Sequence, residues 1–409
     1  MTAISARRFL LAFSAVFAGL VALLAAHSVV IDPYAMFGSR LWPEKGYEKF
    51  GRVRVAGDRI VKALILTEDR FDTVLVGSSR PLVGFAPDYR EFAGRQVYNA
   101  AFNGATNVEN ARVAALAVAS QSKLKTLIVG LDLFAFEKVK TEADYEQSLL
   151  SGANRWTGIF ARTFSKDAVD GAWRFWRNVR NNTPQLTRDG FNHTPAKWLV
   201  DRREAFIAKV GGGNPNCGAP RRLAPVVPTD RIEANIALLE PVLAAAKARG
   251  VDVFLFLPPQ HVWAHVVETE AQRAPIPDAL KRALRAMTDR LAQKPGAGVL
   301  ALWDFDGLDA VTMEDVPPRG SKQDMRYFWE HSHFKTATGA AMIATMYGGA
   351  TALDGFGVRL DRIDLEAHLT ATREKLKTWE AAHPQDAAML RAVVSGNANC
   401  GPSADAAEN

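Results

Sequence analysis

Short apolar runs recur along the middle of the chain, and each is bounded by a turn signal. They cover residues 73–76, 96–101, 126–131, 251–257 and 299–303. Continuous apolar runs of this length, stopped by Gly, Pro or Asp, are typical of β-strands that are buried on both faces. The pattern therefore predicts five buried, parallel strands.

Segments with helical periodicity separate these runs. Apolar residues recur at helical spacing in residues 231–248 and 277–291, while residues 108–120 are rich in alanine and residues 336–346 follow the last polar motif. Strands that alternate with helices are typical of an α/β fold with a parallel central sheet.

One face of the segment 231–248 is apolar. Ile236, Leu239 and Val242 follow i, i+3 spacing, which predicts that they pack on the sheet. Pro241 lies in the same segment and predicts a kink.

The N-terminal segment has a different composition. Residues 9–31 contain no Lys, Arg, Asp or Glu and are long enough to span a bilayer. Arg7 and Arg8 precede this run, and positive residues tend to stay in the cytoplasm. A cleaved signal peptide ending near residues 26–28 is the alternative, but the run is long for one. We expect residues 1–8 to form a cytoplasmic tail, and a single-pass anchor to hold the large domain on the extracytoplasmic, periplasmic side.

Four further regions follow the predicted anchor. Residues 32–70 are a polar, partly amphipathic linker, and residues 71–350 are the predicted α/β domain. An insertion, residues 137–228, interrupts the alternation of strands and helices. It contains an aromatic and basic stripe at residues 173–177, which suits sugar stacking, a membrane surface or ordinary helix packing. Residues 351–409 are predicted to form a C-terminal helical extension and tail.

Charge and cysteine content limit the partners. The net charge is +6, and Lys and Arg are scattered without a block of like charge, so we expect no nucleic-acid partner. Cys217 and Cys400 both lie in Gly/Asn-rich segments. An exported domain meets oxidising conditions, which predicts a disulfide between them, with two free thiols as the alternative.

Polar residues follow the predicted strands at their carboxyl ends, where open α/β sheets bind ligands. Residues 77–80, Gly-Ser-Ser-Arg, follow the first strand. Asn99 lies at the end of the second strand with Asn103 and Gly104 after it, and Asp132 follows the third strand. A serine on a tight turn exposes its hydroxyl, and Asn or Gly amides can stabilise an oxyanion. Ordinary turns and helix caps are the alternative.

A second polar motif follows the fifth strand, at residues 330–333. Glu330 precedes His333 by three residues, so the carboxylate can orient one ring nitrogen while the other faces a serine hydroxyl. A solvated polar loop is the alternative.

A metal site is the third chemical possibility. His261 and His265 are four residues apart and could bind zinc from one helix face. No third ligand is evident, and the prolines before His261 suggest a loop. The sequence also has no phosphate-binding loop, dinucleotide fingerprint or Cys-x-x-Cys motif, so we expect no metal and no cofactor.

The motifs resemble blocks I, II and V of the SGNH (GDSL-like) hydrolase superfamily. Those blocks match Gly77-Ser78-Ser79, then Gly104, and finally Glu330-x-x-His333, within residues 70–350. The chain is similar to membrane-anchored members, including alginate O-acetylation proteins and the D-alanine transfer protein of teichoic acids. The resemblance implies a flavodoxin-like three-layer α/β sandwich with a parallel central sheet.

The resemblance also implies roles for individual residues. Ser79 would be the nucleophile, His333 the base and Glu330 the orienting acid, with the amides of Ser79 and Gly104 in the oxyanion hole. Ser78 is the alternative nucleophile, and His331 is the alternative base.

Two positions depart from the family pattern. Block III usually carries an Asn, whereas this sequence has Asp132, which cannot donate a hydrogen bond when ionised. Asn103, Asn99 or Arg80 would have to substitute for it. Block V has Glu330 where Asp is usual.

The expected function is serine-dependent acyl transfer or ester hydrolysis on a cell-envelope polysaccharide. A membrane-bound protein could supply the acyl group. The first alternative is a non-catalytic glycan-binding or scaffold protein with the same fold. The second is a metal-dependent hydrolase built around the histidines.

Overall fold

The structure is a computed structural model that describes most of the chain. The described residues are 3–31, 58–138, 140–164, 189–192, 202–210, 229–321, 323–348 and 355–395, together with 166, 169, 170, 173 and 353. Two compact units are present. The anchor unit comprises Met1–Glu68 and Glu142–His193, and the sheet unit comprises Asp69–Thr141 and Thr194–Asn409. Cys217 and Cys400, with their predicted disulfide, lie outside the described residues.

A six-stranded sheet forms the centre of the sheet unit. Its strands are β1 (Thr73–Val76), β2 (Val97–Asn99), β3 (Thr126–Gly130), β4 (Asp252–Leu257), β5 (Leu300–Asp304) and β6 (Val358–Arg359). The order is β2-β1-β3-β4-β5-β6. Neighbouring strands are parallel except β6, which runs antiparallel to β5. The predicted α/β fold with a mostly parallel sheet is therefore confirmed, whereas β6 is too short for its pattern to be recognised in the sequence.

Helices connect and flank the strands. In chain order, the α-helices are α1 (Ala3–Ile31), α2 (Asp58–Leu66), α3 (Ser79–Gly84), α4 (Asn107–Ser120), α5 (Leu133–Glu137), α6 (Arg155–Thr163), α7 (Arg202–Val210), α8 (Thr229–Ala248), α9 (Val262–Glu270), α10 (Pro275–Ala292), α11 (Thr336–Met346), α12 (Leu365–Ala382) and α13 (Pro384–Ser395). Short 3-10 turns cover Arg90–Phe92, Leu149–Ser151 and Leu360–Arg362.

The central strands are buried on both faces. Every residue of β1 and β3 is buried, which explains why these strands are continuous apolar runs in the sequence. Helix α8 contacts both α4 and α10, and all three helices contact the strands. In α8, Ile236, Leu239 and Leu243 are buried, whereas Val242 is only partly buried. The prediction for Val242 was wrong, because the apolar face advances by four residues after Leu239 to follow the 3.6-residue turn.

The C-terminal helices belong to the sheet unit. Helices α12 and α13 both contact α9, and His368 Nε2 lies 2.9 Å from Asp304 Oδ2 at the end of β5. The helical extension predicted within residues 351–409 is divided in two at Pro384. Proline cannot continue a helix but suits the first position of a new one, so α13 starts there.

The anchor unit contains α1, α2 and α6. Helix α1 is long and apolar enough to span a membrane from Ala6 to Ile31, as predicted. Helix α2, whose residues lie in the predicted linker, contacts α6, and Lys62 Nζ donates to Gly190 O at 2.9 Å.

Candidate active site

A tight turn after β1 presents Ser79. Gly77 has φ of +152°, a conformation that L side chains rarely adopt, and a Cβ there would lie 2.6 Å from Pro81 Cγ. Ser78 caps α3, because its side chain accepts a hydrogen bond from Arg80 N at 3.4 Å. Ser79 is consequently the first residue of α3, at the carboxyl edge of the sheet.

A compact loop after β5 carries Glu330 and His333. Phe328 and Phe334 pair as an antiparallel bridge, and Trp329 N donates to His333 O at 2.8 Å. These contacts fold residues 328–334 back on themselves before α11 begins.

Aromatic packing holds this loop against α3. The Phe334 ring lies 5.5 Å from the Phe85 ring, measured between centroids. The same ring occupies the space where a Cβ of Gly84 would be, so only glycine allows this approach. Because α3 begins at Ser79, the contact brings the histidine loop to the nucleophile.

Ser79, His333 and Glu330 lie in a continuous line. Ser79 Oγ is 2.7 Å from His333 Nε2, and His333 Nδ1 hydrogen-bonds Glu330 Oε1. Glu330 is 3% exposed. The three residues predicted to act together are therefore brought together, in the order that a serine–histidine–acid relay needs.

The Glu330 carboxylate is buried, and both of its oxygens accept hydrogen bonds. Ser332 donates to it twice, from Oγ to Oε1 at 2.8 Å and from N to Oε2 at 3.2 Å. Burial by itself would raise the pKa of Glu330, but the neighbouring His331 and His333 outweigh it and hold that pKa well below its usual range.

The ionised state of Glu330 fixes the tautomer of His333. A carboxylate can only accept, so His333 Nδ1 carries the proton and donates to Glu330. The other ring nitrogen, His333 Nε2, then faces the Ser79 hydroxyl and can accept from it. This is the protonation pattern of a general base next to a nucleophile.

The alternative nucleophile and base occupy supporting positions. Ser78 Oγ accepts from the α3 backbone. His331 Nδ1 lies 2.8 Å from Glu330 Oε2, without an aligned hydrogen bond, and His331 O accepts from His261 N at 2.8 Å. His331 therefore faces the acid of the relay, whereas His333 faces the serine.

The residues considered for the oxyanion hole, Asn99, Asn103 and Gly104, have different surroundings. Asn99 Nδ2 donates to Pro81 O at 2.9 Å and to Phe85 O at 3.0 Å, and Asn99 Oδ1 accepts from Ala101 N. Because both amide hydrogens of Asn99 are engaged in these bonds, the side chain stabilises the position of α3. Gly104 has a left-handed φ of +58°, and the preceding Asn103 is partly buried.

Asp132 follows β3 and caps α5. Its Oδ1 accepts from Ala135 N at 3.2 Å. Its Oδ2 is buried and has no hydrogen-bond partner among the residues that the structure describes. A buried oxygen without a partner is costly, which makes Asp132 an unusual cap.

Arg80 begins a polar connection that the sequence did not suggest. Arg80 Nη2 donates to Gln260 Oε1 at 3.1 Å, and Gln260 N donates to Asp306 Oδ1 at 3.1 Å. His265 Nε2 lies 3.2 Å from the same oxygen. Gln260 follows β4, and Asp306 follows β5. Their position after the carboxyl ends of strands is the sequence feature that could have identified them as site residues.

A cavity of about 250 Å³ adjoins this connection. Its polar lining includes Gln260, His265, Asp306, Lys281, Asp278 and Arg373. Lys281 pairs with Asp304 at 2.8 Å and Arg373 pairs with Asp278 at 2.6 Å. In the described part of the chain no Lys or Arg forms an ion pair with Asp306, which leaves acceptor capacity on that carboxylate.

The two histidines considered for zinc have separate roles. His261 caps α9, with Nδ1 accepting from Trp263 N at 3.3 Å and Nε2 at 2.6 Å from Glu314 O. Burial lowers the pKa of His261 to about 3. His265 instead lies within α9 and faces Asp306. Within the described residues, no three His, Cys, Asp or Glu side chains are grouped to hold a metal ion.

Comparison with known proteins finds no protein-family model, no curated protein and no solved structure that matches this chain. The functional inference therefore depends on the residues and their geometry. The Ser79–His333–Glu330 relay is the feature from which a type of reaction can be inferred.

Proposed function

We propose that this protein catalyses serine-dependent acyl transfer or ester hydrolysis on a cell-envelope polysaccharide. The observation that carries the proposal is the unbroken line from Ser79 Oγ through His333 to Glu330. A serine next to a neutral imidazole, oriented by an ionised carboxylate, is the arrangement that nucleophilic acyl chemistry requires. Ser79 is the nucleophile, His333 the general base and Glu330 the orienting acid.

The reaction has two half-reactions. Ser79 Oγ attacks the carbonyl carbon of an ester while His333 Nε2 takes its proton. The tetrahedral intermediate collapses to an acyl-serine, and the departing alcohol takes the proton from His333. A sugar hydroxyl or water then gives a proton to His333 and attacks the acyl-serine. When this second intermediate collapses, the bond to Ser79 Oγ breaks and His333 returns the proton to Ser79 Oγ. Glu330 stays ionised and stabilises the imidazolium that forms in each half.

Backbone amides are suited to stabilise the oxyanion. Ser79 is the first residue of α3, so its N–H is outside the hydrogen-bond ladder of the helix. Gly104 is the second donor implied by the family resemblance, and it follows β2, the neighbour of β1. Asn99 is less suited, because its amide hydrogens are engaged on α3.

The strand order supports an SGNH-type, flavodoxin-like sandwich. The order β2-β1-β3-β4-β5 is the flavodoxin-like order. The nucleophile follows β1, and the Glu–His motif lies just before the last helix that follows the sheet's parallel strands. The antiparallel β6 and helices α12 and α13 are additions to that plan.

The cavity lined by Gln260 and Asp306 is a suitable place for the polymer. It combines carboxylate, amide and imidazole groups with apolar side chains, including Leu308, Leu369 and Leu376. Sugar rings present hydroxyl groups and apolar C–H faces, so both kinds of wall can contribute to binding. Asp306 has the acceptor capacity to receive sugar hydroxyls.

The N-terminal helix supports a site of action at the cell membrane. Arg7 and Arg8 favour a cytoplasmic N-terminus, with the sheet unit on the extracytoplasmic side. Acyl groups for an extracytoplasmic transferase must cross the membrane, which makes a membrane-bound acyl-donor protein the expected partner.

Serine-directed labelling tests the proposal. Purified full-length protein should react with a fluorophosphonate, and peptide mass mapping should find the adduct on Ser79. The Ser79→Ala variant should not react. Failure of folded wild-type protein to label, together with no turnover of p-nitrophenyl acetate, would favour the non-catalytic scaffold instead.

A further inference from the structure

Helix α6 of the anchor unit exposes a row of aromatic side chains. Trp156, Phe160 and Phe164, the residue that caps the helix C-terminus, are 63%, 58% and 53% exposed. Their spacing of four residues places them on one side of the helix, and the rings of Phe160 and Phe164 stack at 5.3 Å. A continuous exposed aromatic face of this kind marks an interaction surface. We call these three residues the aromatic face of α6.

The other side of α6 already packs within its own unit. Gly158 is buried, and a Cβ there would lie 2.8 Å from Ile60 Cγ2 of α2. Arg162 and Thr163 are also buried. The aromatic face is therefore not the side that α6 uses to join the anchor unit.

The buried residues at the C-terminal end of α1 indicate where α6 lies along this helix. Helix α1 contacts α6, and the fully buried residues of α1 with described side chains are Ser28 and Ile31, both at its C-terminal end. The apolar segment Ala6–Ile31 has 26 residues, or about 39 Å of helix at roughly 1.5 Å per residue. A bilayer core is about 30 Å thick, so the last turns of α1 reach the headgroup region.

We propose that α6 lies along the membrane surface next to α1, with its aromatic face inserted at the boundary between lipid headgroups and acyl chains. Trp is the residue type that concentrates at this boundary, because its ring is apolar while its N–H can be hydrated. An amphipathic helix with aromatic residues on one face is the usual form of such a contact.

Charge favours a lipid surface over a second protein chain. From residue 154 to 166 the sequence contains three cationic residues and no acidic residue. Of these, Arg155 and Lys166 are exposed. Exposed cations next to an apolar face that inserts into lipid attract anionic headgroups. The contact fixes the orientation of the anchor unit on the membrane, and it does not depend on the catalytic proposal.

Photocrosslinking in proteoliposomes tests this inference. Full-length protein is reconstituted in phosphatidylcholine vesicles containing one quarter phosphatidylglycerol. Phe160 is replaced by p-benzoylphenylalanine, and irradiated peptides are analysed for lipid adducts. Phe17 in α1, replaced in the same way, is the positive control. Leu238, an exposed residue of α8 in the sheet unit, is the negative control.

The expected result is lipid adducts at positions 160 and 17 and at least tenfold fewer at position 238. Adducts at position 17 without adducts at position 160 would overturn the inference while leaving the membrane anchor intact. Crosslinks from position 160 to a second copy of the chain, in place of lipid, would also overturn it. Trp156→Glu should reduce the adducts at position 160, because a carboxylate in this row opposes insertion.

Discussion

Ser79 Oγ lies 2.7 Å from His333 Nε2, although 254 residues separate them in the chain. Two structural features produce this distance. Parallel strands end at the same edge of the sheet, and Phe334 packs where Gly84 leaves room for its ring. The relay thus depends on aromatic packing as well as on polar contacts.

The first prediction concerns the relay itself. Ser79→Ala should lower kcat for p-nitrophenyl acetate by roughly 10⁴-fold or more, because the acyl-serine cannot form. His333→Ala should have a similar effect, and Glu330→Gln a smaller one. Ser78→Ala is the matched control, since it removes a neighbouring hydroxyl that only caps α3. Equal loss of turnover in the Ser78 variant, at unchanged melting temperature, would contradict this assignment.

The second prediction separates the two histidines on Glu330. His331→Gln should reduce kcat by about tenfold or less, because His331 reaches the acid and not the serine. His333→Gln should reduce it by about a thousandfold or more. Steady-state kinetics of both variants make the comparison. A larger loss in the His331 variant would identify His331 as the base.

The third prediction assigns a binding role to the cavity. Asp306→Asn should raise KM for an acetylated oligosaccharide by about tenfold, because a charge-assisted hydrogen bond is lost. The kcat for p-nitrophenyl acetate, which is too small to need the cavity, should stay within twofold. A proportional loss of activity on both substrates would instead indicate a structural effect.

The fourth prediction is a pH dependence of stability that comes from His261. Its pKa is about 3 in the folded protein, against 6.5 in an unfolded chain. Between these values the unfolded state binds more protons. The contribution of His261 is therefore complete above pH 6.5 and is lost as the pH falls towards 3.

Urea unfolding at pH 7, 6 and 5 measures this effect. Relative to His261→Asn, which retains a capping side chain, the wild type should lose about 2 kcal/mol in total between pH 7 and pH 5, with the larger part of the loss below pH 6. His383→Asn, at a partly exposed position, should keep the wild-type slope. An unchanged slope in the His261 variant would disprove the assignment.

The fifth prediction concerns the buried pair at the end of β5. Burial opposes ionisation of Asp304, but Lys281 and His368 outweigh it and hold the pKa of Asp304 at about 2. The stabilising contribution is present above pH 3.8, and it is lost as the pH falls towards 2.

Asp304→Asn should therefore lower the free energy of unfolding at pH 7 by about 3–5 kcal/mol, because Lys281 stays buried without its counter-charge. Asp289→Asn removes the partly exposed pair with Arg285 and should cost no more than about 1 kcal/mol. Chemical unfolding of the two variants compares them directly. Similar small losses in both would show that the buried pair contributes little.

The sequence by itself determined the parallel strands, an N-terminal helix long and apolar enough to span a membrane, and the strand-end position of Ser79. These features follow from local patterns, since buried strands need continuous apolar runs and a bilayer needs about 20 apolar residues. The motif at Glu330 and His333 was also visible, because an acid and a histidine three residues apart can interact within one loop.

Only the tertiary structure decided which groups meet across the chain. Arg80 and Gln260 are 180 residues apart, and no periodicity connects them. The same holds for the contact of His368 with Asp304, which joins the C-terminal helices to strand β5. The low pKa of Glu330 likewise depends on the neighbouring His331 and His333, which outweigh the opposing effect of burial. Such properties arise from long-range packing, because the electrostatics of a buried group depend on its neighbours in space and not on its neighbours in sequence.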